Sequence, residues 1–311
     1  MLKELIGKIP DESGFIKKYR FHQGWWRTFV LNEPEGIYTD ANDKSASVCN
    51  RINNGNKTLK NFITPEIGEI AKQTVENHKK IPKGIIREDR LYDNLLSSQP
   101  LAFNFIGFLK SNPELALAFV KTLHPGVFDV DDVVFEFAPD NPPDHSAFDF
   151  GFIVRSEMGR GFIGFECKYT DTFSFKRANG KIYGDEGDIR YNDYFPIFSA
   201  NRERLPDDYL SYVSDKRFNQ LFRNELLALQ LDGFNFILTG LFCHQEDEEA
   251  INAGQEFRRK IGNRVDDFVI ITYAKYFELL QKFDLTWKQR ELVMILWARY
   301  CGTQLSAGIR D

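Results

Sequence analysis

The sequence has few cysteines and methionines and no long apolar run. Its four cysteines lie far apart, with no Cys-x-x-Cys pair and no spacing typical of a zinc site or a disulfide framework. No segment approaches the roughly 18 consecutive apolar residues of a membrane span, and the N-terminal stretch MLKELIGKIPDESG has no apolar core suited to a secretory signal. These absences predict a soluble, cytoplasmic protein with reduced thiols.

An excess of positive charge is also absent. The chain has 40 Lys and Arg residues against 45 Asp and Glu residues, which gives a net charge of -5. This excludes a protein coated with positive charge, but a local basic groove remains compatible with nucleic-acid binding. What the 311-residue chain has in quantity is apolar material, with 42% hydrophobic residues and 29 phenylalanines. That composition predicts a globular protein with a sizeable core.

Residues 1–88 form the least regular part of the sequence. They are polar and rich in turn signals, and we interpret them as an N-terminal extension, irregular and helical, that precedes a main domain over 89–311. One helix is predicted within the extension, over residues 65–80. Thr64 suits its N-cap, and Pro65 suits its first helical position.

Helical and strand-like patterns alternate in the main domain. Apolar runs bounded by turn signals predict strands, of which the second and third pair as an antiparallel hairpin closed by SEMGRG: 132–139, 148–155, 161–170, 234–242 and 266–273. Helical spacing predicts two helices within 91–110 separated by a break at Gln99-Pro100, and further helices over 113–124, 214–230 with Ser214 as cap, and 275–300. The polar segment 171–213 is interpreted as a loop or mobile lid. This order describes an α/β sandwich around a mixed sheet.

The stretch FIGFECKYTD, residues 162–171, has the pattern of a buried strand that carries two opposite charges. In a strand, residues i and i+2 point to one face, so Glu166 and Lys168 emerge together while Phe165 faces the opposite layer. Asp149 lies on the preceding strand, and the predicted hairpin register brings it to the face of Glu166. Burying such charges costs several kcal/mol per ion unless a partner compensates for it.

A divalent cation is one such partner. Two carboxylates with a backbone carbonyl and waters form a hard-oxygen site suited to Mg²⁺, with Mn²⁺ as an alternative ion. Such an ion would polarise a phosphodiester and lower the pKa of a bound water. Lys168 is placed to orient that water or to offset charge that develops on phosphorus. These residues predict metal-dependent phosphodiester hydrolysis; a structural ion pair is the alternative interpretation.

The pattern Phe148-Asp149 … Glu166-Cys167-Lys168, with the order of elements around it, resembles the PD-(D/E)XK nuclease superfamily. The resemblance covers about residues 90–275. It implies an α/β fold with a restriction-endonuclease-like core, in which helices flank a mixed central sheet, plus the N-terminal extension. It also implies that Asp149 and Glu166 are metal ligands, that Lys168 is the catalytic lysine and that the carbonyl of Cys167 is a further ligand.

Several superfamily members carry a Gln or basic residue on the helix after the motif strands. By this resemblance Gln220 has a catalytic role, and Arg223 and Asn224 on the same polar helix face contact nucleic acid. The exposed side of an amphipathic helix would give the same pattern, so both interpretations stand.

Several members also place a carboxylate on the first core helix, and this sequence does not match that pattern cleanly. Asn104 lies on the corresponding helix, and Glu114 begins the next one. Glu136, whose strand position turns it away from Phe135 and Phe137, is the candidate for the third acidic metal ligand. A structural role for Glu136 is equally compatible with the sequence.

The resemblance implies a Mg²⁺-dependent endonuclease of restriction or defence type, and the stretch LSSQPLAFNFIGFL together with FIGFECKYTD is similar to segments of uncharacterised bacterial proteins described as restriction endonucleases. Double-stranded DNA is the expected partner, with RNA or repair intermediates as alternatives. A two-fold homodimer is the natural expectation for cutting palindromic sites. A catalytically inactive nucleic-acid-binding or structural module on the same fold is the alternative function.

Overall fold

The computed structural model describes residues 2–12, 14–40, 42–171, 189–213, 219–261 and 266–310. Its strands are β1 (Gly36–Thr39), β2 (Ser45–Val48), β3 (Val127–Phe137), β4 (Phe148–Ser156), β5 (Gly159–Lys168), β6 (Phe236–Cys243) and β7 (Phe268–Thr272). The first two form a small hairpin that the sequence pattern did not reveal, and the other five form the central sheet.

The helices of the first half are α1 (Leu2–Ile6), α2 (Gly14–Trp25), α3 (Gly55–Thr58), α4 (Pro65–Lys80), α5 (Glu88–Asp93), α6 (Ser98–Lys110) and α7 (Pro113–Leu123), with a π-helical turn over Trp26–Val30. Those of the second half are α8 (Ile189–Ala200), α9 (Tyr209–Val213), α10 (Asn219–Ala228), α11 (Glu248–Lys260), α12 (Tyr273–Leu280), α13 (Trp287–Tyr300) and α14 (Gln304–Arg310), with a 3₁₀ turn over Arg202–Arg204.

The central sheet is mixed, in the order β3-β4-β5-β6-β7. β3, β4 and β5 form an antiparallel meander, and β6 and β7 run parallel to β5. The predicted mixed sheet and the predicted hairpin are therefore confirmed. β3, the first strand of the central sheet, begins five residues earlier than predicted. Two register shifts let it stay paired with β4 across the charged residues Asp131 and Asp132.

Two helical layers cover the sheet. The face that holds Phe150 and Phe165 packs in one large apolar cluster with residues of α4, α6, α7, α12 and α13. The other face, which holds Phe162, packs against α8, α9, α10 and α11. Tyr19 of α2 and Ile67 of α4 belong to the first cluster, so residues of the predicted extension share a core with the central sheet. The boundary placed at residue 88 stays a prediction.

Two sequence-based helix assignments have different outcomes. The helix over 65–80 is confirmed, and the side chain of Thr64 accepts the N–H of Ile67 as its cap. The break at Gln99-Pro100 is wrong. α6 begins at Ser98 with Ser97 as its cap, so Pro100 lies in the first helical turn, where its missing N–H has no helical partner to lose.

The loop interpretation of 171–213 is wrong for residues 189–213, which contain α8 and α9. This polar segment contains three apolar residues at helical spacing, Tyr194, Ile197 and Phe198. They are buried in the apolar cluster on the second face of the central sheet. Pro196 inside α8 lowers its helix propensity and hid the pattern. Residues 172–188 and the predicted Ser214 cap lie outside the described residues. None of the helices in the described ranges has the length and apolar character needed to cross a membrane.

Candidate active site

The end of β5 carries an acid and a base side by side in the protein interior. Glu166 and Lys168 are only 6% and 5% exposed, and their side chains form an ion pair with 2.8 Å between Lys168 Nζ and Glu166 Oε1. Phe165 and Cys167 belong to the apolar cluster of the other sheet face, as strand alternation predicts. The two charges share one face because they lie two residues apart at the end of a strand. The residues that alternate with them point to the other face and fill the core.

Asp149 joins them from the neighbouring strand. Phe150 pairs with Phe165 in the β4–β5 ladder, so Asp149 comes opposite Glu166 at the open end of the hairpin. One carboxylate oxygen of Asp149 accepts the backbone N–H of Cys167 at 2.6 Å. The predicted convergence of Asp149 with Glu166 and Lys168 is thus present in the structure.

Glu136 extends this row of carboxylates onto β3. The pairs Phe135–Phe150 and Phe137–Phe148 place it beside Asp149 in the β3–β4 ladder. Its backbone φ is +48°, a left-handed conformation that costs free energy for a residue with a Cβ. Its side chain accepts the Gln99 amide at 3.1 Å and the N–H of Ile85 at 3.4 Å. Neither Asn104 nor Glu114, the other positions weighed for a third acidic ligand, is among the residues that line the cleft around these carboxylates.

Helix α10 closes the site from the second helical layer. Gln220 accepts the Lys168 ammonium at 2.7 Å, and Asn224, one turn later, donates its amide to the second oxygen of Glu166 at 2.9 Å. Asn224 is only 5% exposed. Its geometry is that of a residue that orients Glu166, and the predicted contact between Asn224 and nucleic acid stays a prediction.

Arg223 faces a different partner. Its guanidinium lies 2.6 Å from Asp144 and donates to Ser146 at 2.7 Å, and Tyr194 of α8 donates to the other oxygen of Asp144 at 2.8 Å. These contacts fix the segment between β3 and β4 against α8 and α10. A phosphate contact by Arg223 stays a prediction, and it requires Arg223 to share or exchange the carboxylate of Asp144.

Burial and nearby carboxylates shift the protonation of Asp149 and Glu136. Burial, reinforced by the charges of Glu166 and Glu136, raises the pKa of Asp149 well above its ordinary value. Burial raises the pKa of Glu136 to about 8, with the charge of Glu166 adding to the effect. Burial alone would lower the pKa of Lys168, but the charges of Glu166 and Asp149 outweigh it and the pKa is raised. Lys168 is therefore an ammonium at neutral pH.

This donor set fits a hard divalent cation of few protein ligands. Within the described residues no group of three or more His, Cys, Asp and Glu side chains forms a ready metal cage. Mg²⁺ needs no such cage, because it is usually held by one or two carboxylates and keeps several waters. Burial, and after it the charges of Glu166 and Glu136, raises the pKa of Asp149, so an ionised Asp149 lacks full compensation at this position. A cation bound there would supply that compensation.

The carboxylates open into a cleft of about 800 Å³. Besides the residues already described, the exposed side chains of Arg87 and Arg90 line it, together with Ser98 at the start of α6 and Asp171 after β5. Ser98 donates its hydroxyl to Asp171 at 2.8 Å. The cleft thus has an acidic floor and a partly basic rim.

Comparison with known families agrees with this geometry. A family model of the PD-(D/E)XK nuclease superfamily matches residues 10–302. The chain belongs to this superfamily. No curated protein and no solved structure matches the chain. Membership in the PD-(D/E)XK nuclease superfamily indicates a nuclease, confirms the predicted fold, and implies a nucleic-acid substrate. The match begins at residue 10 and therefore extends through most of the segment predicted as an extension.

Sequence reasoning missed Gln99 and Asp144. Gln99 reaches Glu136 only because α6 ends up beside β3, which no local pattern encodes. Asp144 did leave a local signal, because its side chain accepts the N–H of Ser146 at 2.8 Å in the turn-forming segment PPDHS. That signal identifies a turn but gives no information about its partner Arg223.

Gly84 packs closely against Glu136 and allows a test of whether the position of the Glu136 side chain matters for cleavage. Its φ is +74°, and a Cβ at this position would lie 2.5 Å from Glu136 Oε2 and 2.9 Å from the Cβ of Ala147. We expect Gly84→Ala to displace Glu136 and to reduce cleavage at least about tenfold, with a loss of roughly 1–2 kcal/mol of stability. Gly14→Ala is the matched control, since a Cβ there has no neighbour within 4 Å. Equal activity of both variants would show that the position of Glu136 is unimportant.

Proposed function

We propose that this protein is a Mg²⁺-dependent DNA endonuclease of restriction or defence type that acts in the cytoplasm. The observation that carries the proposal is the convergence of Glu136, Asp149 and Glu166 with Lys168 at one end of the central sheet, in a cleft with a partly basic rim. All four cysteines, Cys49, Cys167, Cys243 and Cys301, are free thiols, which suits a reducing compartment. Superfamily membership supports the nuclease class.

In this proposal Asp149 and Glu166 hold the metal ion, and Glu136 and the carbonyl of Cys167 supply further oxygens. When bound, Mg²⁺ would polarise the phosphodiester and lower the pKa of an attacking water. Lys168 is kept protonated and fixed between Glu166 and Gln220, where its ammonium would offset charge that develops on a phosphorus bound at the carboxylates. Asn224 sets the orientation of Glu166 by its amide hydrogen bond.

Double-stranded DNA is the proposed substrate, and a two-fold homodimer is the proposed assembly if the cut site is palindromic. Arg223 is the proposed phosphate contact inside the cleft. The second candidate function is a binding module without cleavage. It is favoured by one observation: Glu166, Lys168 and Asn224 already satisfy one another, as a structural ion pair would.

Glu166→Gln separates the two functions. The amide keeps the size of the side chain but removes the charge a metal ion needs, so we expect loss of at least about 10²-fold in Mg²⁺-dependent cleavage. The assay compares plasmid, linear duplex, single-stranded DNA and RNA with Mg²⁺, Mn²⁺ or EDTA. Glu157→Gln, at the exposed turn between β4 and β5, is the matched control. A binding module would retain salt-sensitive affinity in both variants and cut no substrate.

A further inference from the structure

The segment of residues 81–87, called the 81–87 loop below, exposes two aliphatic side chains beside the cleft. Ile81 is 67% exposed and Ile85 is 53% exposed. A single exposed isoleucine is ordinary, but two on one short loop at the mouth of a cleft form a surface suited to contact. The loop connects α4 to α5 and stands at the rim of the carboxylate site.

The 81–87 loop stands between two grooves. Ile85 and Arg87 line the active-site cleft, whereas Ile81 and Lys83 line a second groove of about 640 Å³ between α4 and the outer edge of β3. Glu136 lines both, so the grooves adjoin at the carboxylates. A polymer bound at the site can therefore continue along the second groove, and it would contact the 81–87 loop between the two grooves.

Hydrogen bonds attach this loop to the site. Ile85 donates its N–H to Glu136, and its carbonyl accepts the Gln99 amide at 2.7 Å. Arg87 donates its N–H to the Gln99 oxygen at 3.3 Å. The backbone of the loop is thus fixed by the same side chain that holds Glu136, while its isoleucine and basic side chains point to the two grooves.

The charges around the loop suit a polyanion. The acidic floor of the cleft repels phosphate, so a nucleic acid needs cations close by, and Lys80, Lys83, Arg87 and Arg90 lie on the two grooves. Lys83 is paired at 2.7 Å with Asp140, whose side chain is 94% exposed. The Lys83 side chain is 28% exposed, but with its partner so open to water the pair is weak and easily exchanged for a phosphate contact.

The structure argues against a β-strand as the occupant of the second groove. β3 is an edge strand, but part of its edge is already occupied, because Lys110 donates to the carbonyl of Val133 at 2.5 Å and the N–H of Val133 donates to Asp132 at 2.7 Å. Strand addition needs these backbone groups free. A phosphate backbone does not.

We propose that the 81–87 loop is a nucleic-acid-gripping element of this enzyme. Lys83 and Arg87 contact backbone phosphates on the two sides of the carboxylate site, and Ile81 and Ile85 pack against sugars and base edges between those phosphates. This inference rests on the proposed nuclease function and adds a substrate contact surface outside the catalytic residues.

The test measures binding of a fluorescent DNA duplex by anisotropy in EDTA over a range of salt concentrations. Lys83→Ala/Arg87→Ala should weaken binding at least about tenfold at low salt and reduce the slope of log K against log salt by about 0.9 for each phosphate that the protein no longer neutralises. Ile81→Ser/Ile85→Ser should weaken binding to a similar extent with the slope unchanged. The matched controls are Met158→Ser, at a 59% exposed position on the β4–β5 turn, and Lys282→Ala, whose lysine pairs with Glu278 at 2.8 Å.

The outcomes distinguish the two proposals. If the wild type binds and cuts DNA but both loop variants behave like their controls, the loop inference is wrong and the nuclease function stands. If the wild type neither binds nor cuts any nucleic acid, both fail. Thermal unfolding checks that the variants fold, and Lys83→Arg/Arg87→Lys, which retains both charges, should restore affinity and slope.

Discussion

Lys168→Ala is expected to reduce Mg²⁺-dependent cleavage at least about 10²–10³-fold, the usual loss when one preorganised charge is removed from a reacting centre. The reason is the position of Lys168 Nζ, which Glu166 and Gln220 hold at 2.8 and 2.7 Å. Affinity for the duplex should change little, because Lys168 is buried and does not belong to the exposed rim. The measurement pairs single-turnover cleavage with anisotropy binding.

The same variant carries a stability cost that must be separated from catalysis. Removing one partner of a buried ion pair typically costs about 3–5 kcal/mol, because the remaining charge has lost its compensation. Glu166 is 6% exposed, and of its side-chain hydrogen bonds within the described ranges it retains the one from the amide of Asn224 in this variant. We therefore expect a lower Tm in EDTA and partial recovery of Tm with Mg²⁺, since a bound cation replaces the missing positive charge.

Lys18→Ala is the matched control for lysine removal. Lys18 also pairs with a carboxylate, Glu246, at 2.7 Å, but its side chain is 29% exposed and lines neither the active-site cleft nor the second groove. It should retain cleavage within a few fold. If Lys168→Ala cuts DNA as fast as Lys18→Ala, Lys168 has no catalytic role and its pairing with Glu166 is structural.

The central chemistry of the site was readable from the sequence because strand alternation is a local rule. Glu166 and Lys168 had to share a face, and a short turn after Ser156 fixed the register that brings Asp149 opposite them. Strand alternation identified Glu136 as a candidate ligand. It did not predict the left-handed backbone of Glu136, because a φ of +48° departs from the regular strand conformation on which alternation depends.

The surroundings of the site depended on long-range packing and were not readable. Gln99 comes from a helix whose start was misplaced by the presence of Pro100, and Asp144 meets Arg223 across 79 residues of sequence. α8 was not predicted because a proline and scattered polar residues interrupt its apolar pattern. Its apolar face is evident in the structure, where it packs in the cluster on the second face of the central sheet. Tertiary contact overrides weak local propensity in each case.

Asp149→Asn is expected to abolish metal-dependent cleavage while making the metal-free protein more stable at neutral pH. Burial, with the charges of Glu166 and Glu136, raises the pKa of Asp149 well above its ordinary value, so ionising it in the folded state costs free energy. The amide removes that cost and can still accept the N–H of Cys167 through its oxygen. We expect a gain on the order of 1–3 kcal/mol in EDTA at pH 8.

The pH dependence has a definite sign. A carboxyl whose pKa is higher in the folded than in the unfolded chain binds its proton more tightly when folded, so stability is lost as pH rises. For Glu136 the folded pKa is about 8 and the unfolded value about 4.3, so the free energy of unfolding of the metal-free protein should fall across that interval. Asp149 also lowers the free energy of unfolding as pH rises. In Asp149→Asn the free energy of unfolding should therefore depend less on pH.

Mg²⁺ should reverse this fall in the wild type alone. Binding to the folded state stabilises it by about 2.7 kcal/mol at a metal concentration of 100 times Kd, and the gain should disappear in Asp149→Asn. The measurement is urea unfolding from pH 5 to 8.5, with EDTA or Mg²⁺. A metal gain that survives in Asp149→Asn would place the cation elsewhere.

Asp144→Asn supplies a control of opposite sign. Burial acts to raise the pKa of Asp144, but the charge of Arg223 and the hydrogen bonds from Ser146 and Tyr194 together outweigh it, and the pKa is lowered. This carboxylate therefore stabilises the fold above its unfolded pKa, and the contribution is lost as pH falls. Its amide variant should therefore be destabilised at pH 8, where Asp149→Asn is stabilised. If both variants shifted stability in the same direction, the burial and crowding of the Asp149 carboxylate would not be the source of the effect, and no cation would be needed there to compensate for it.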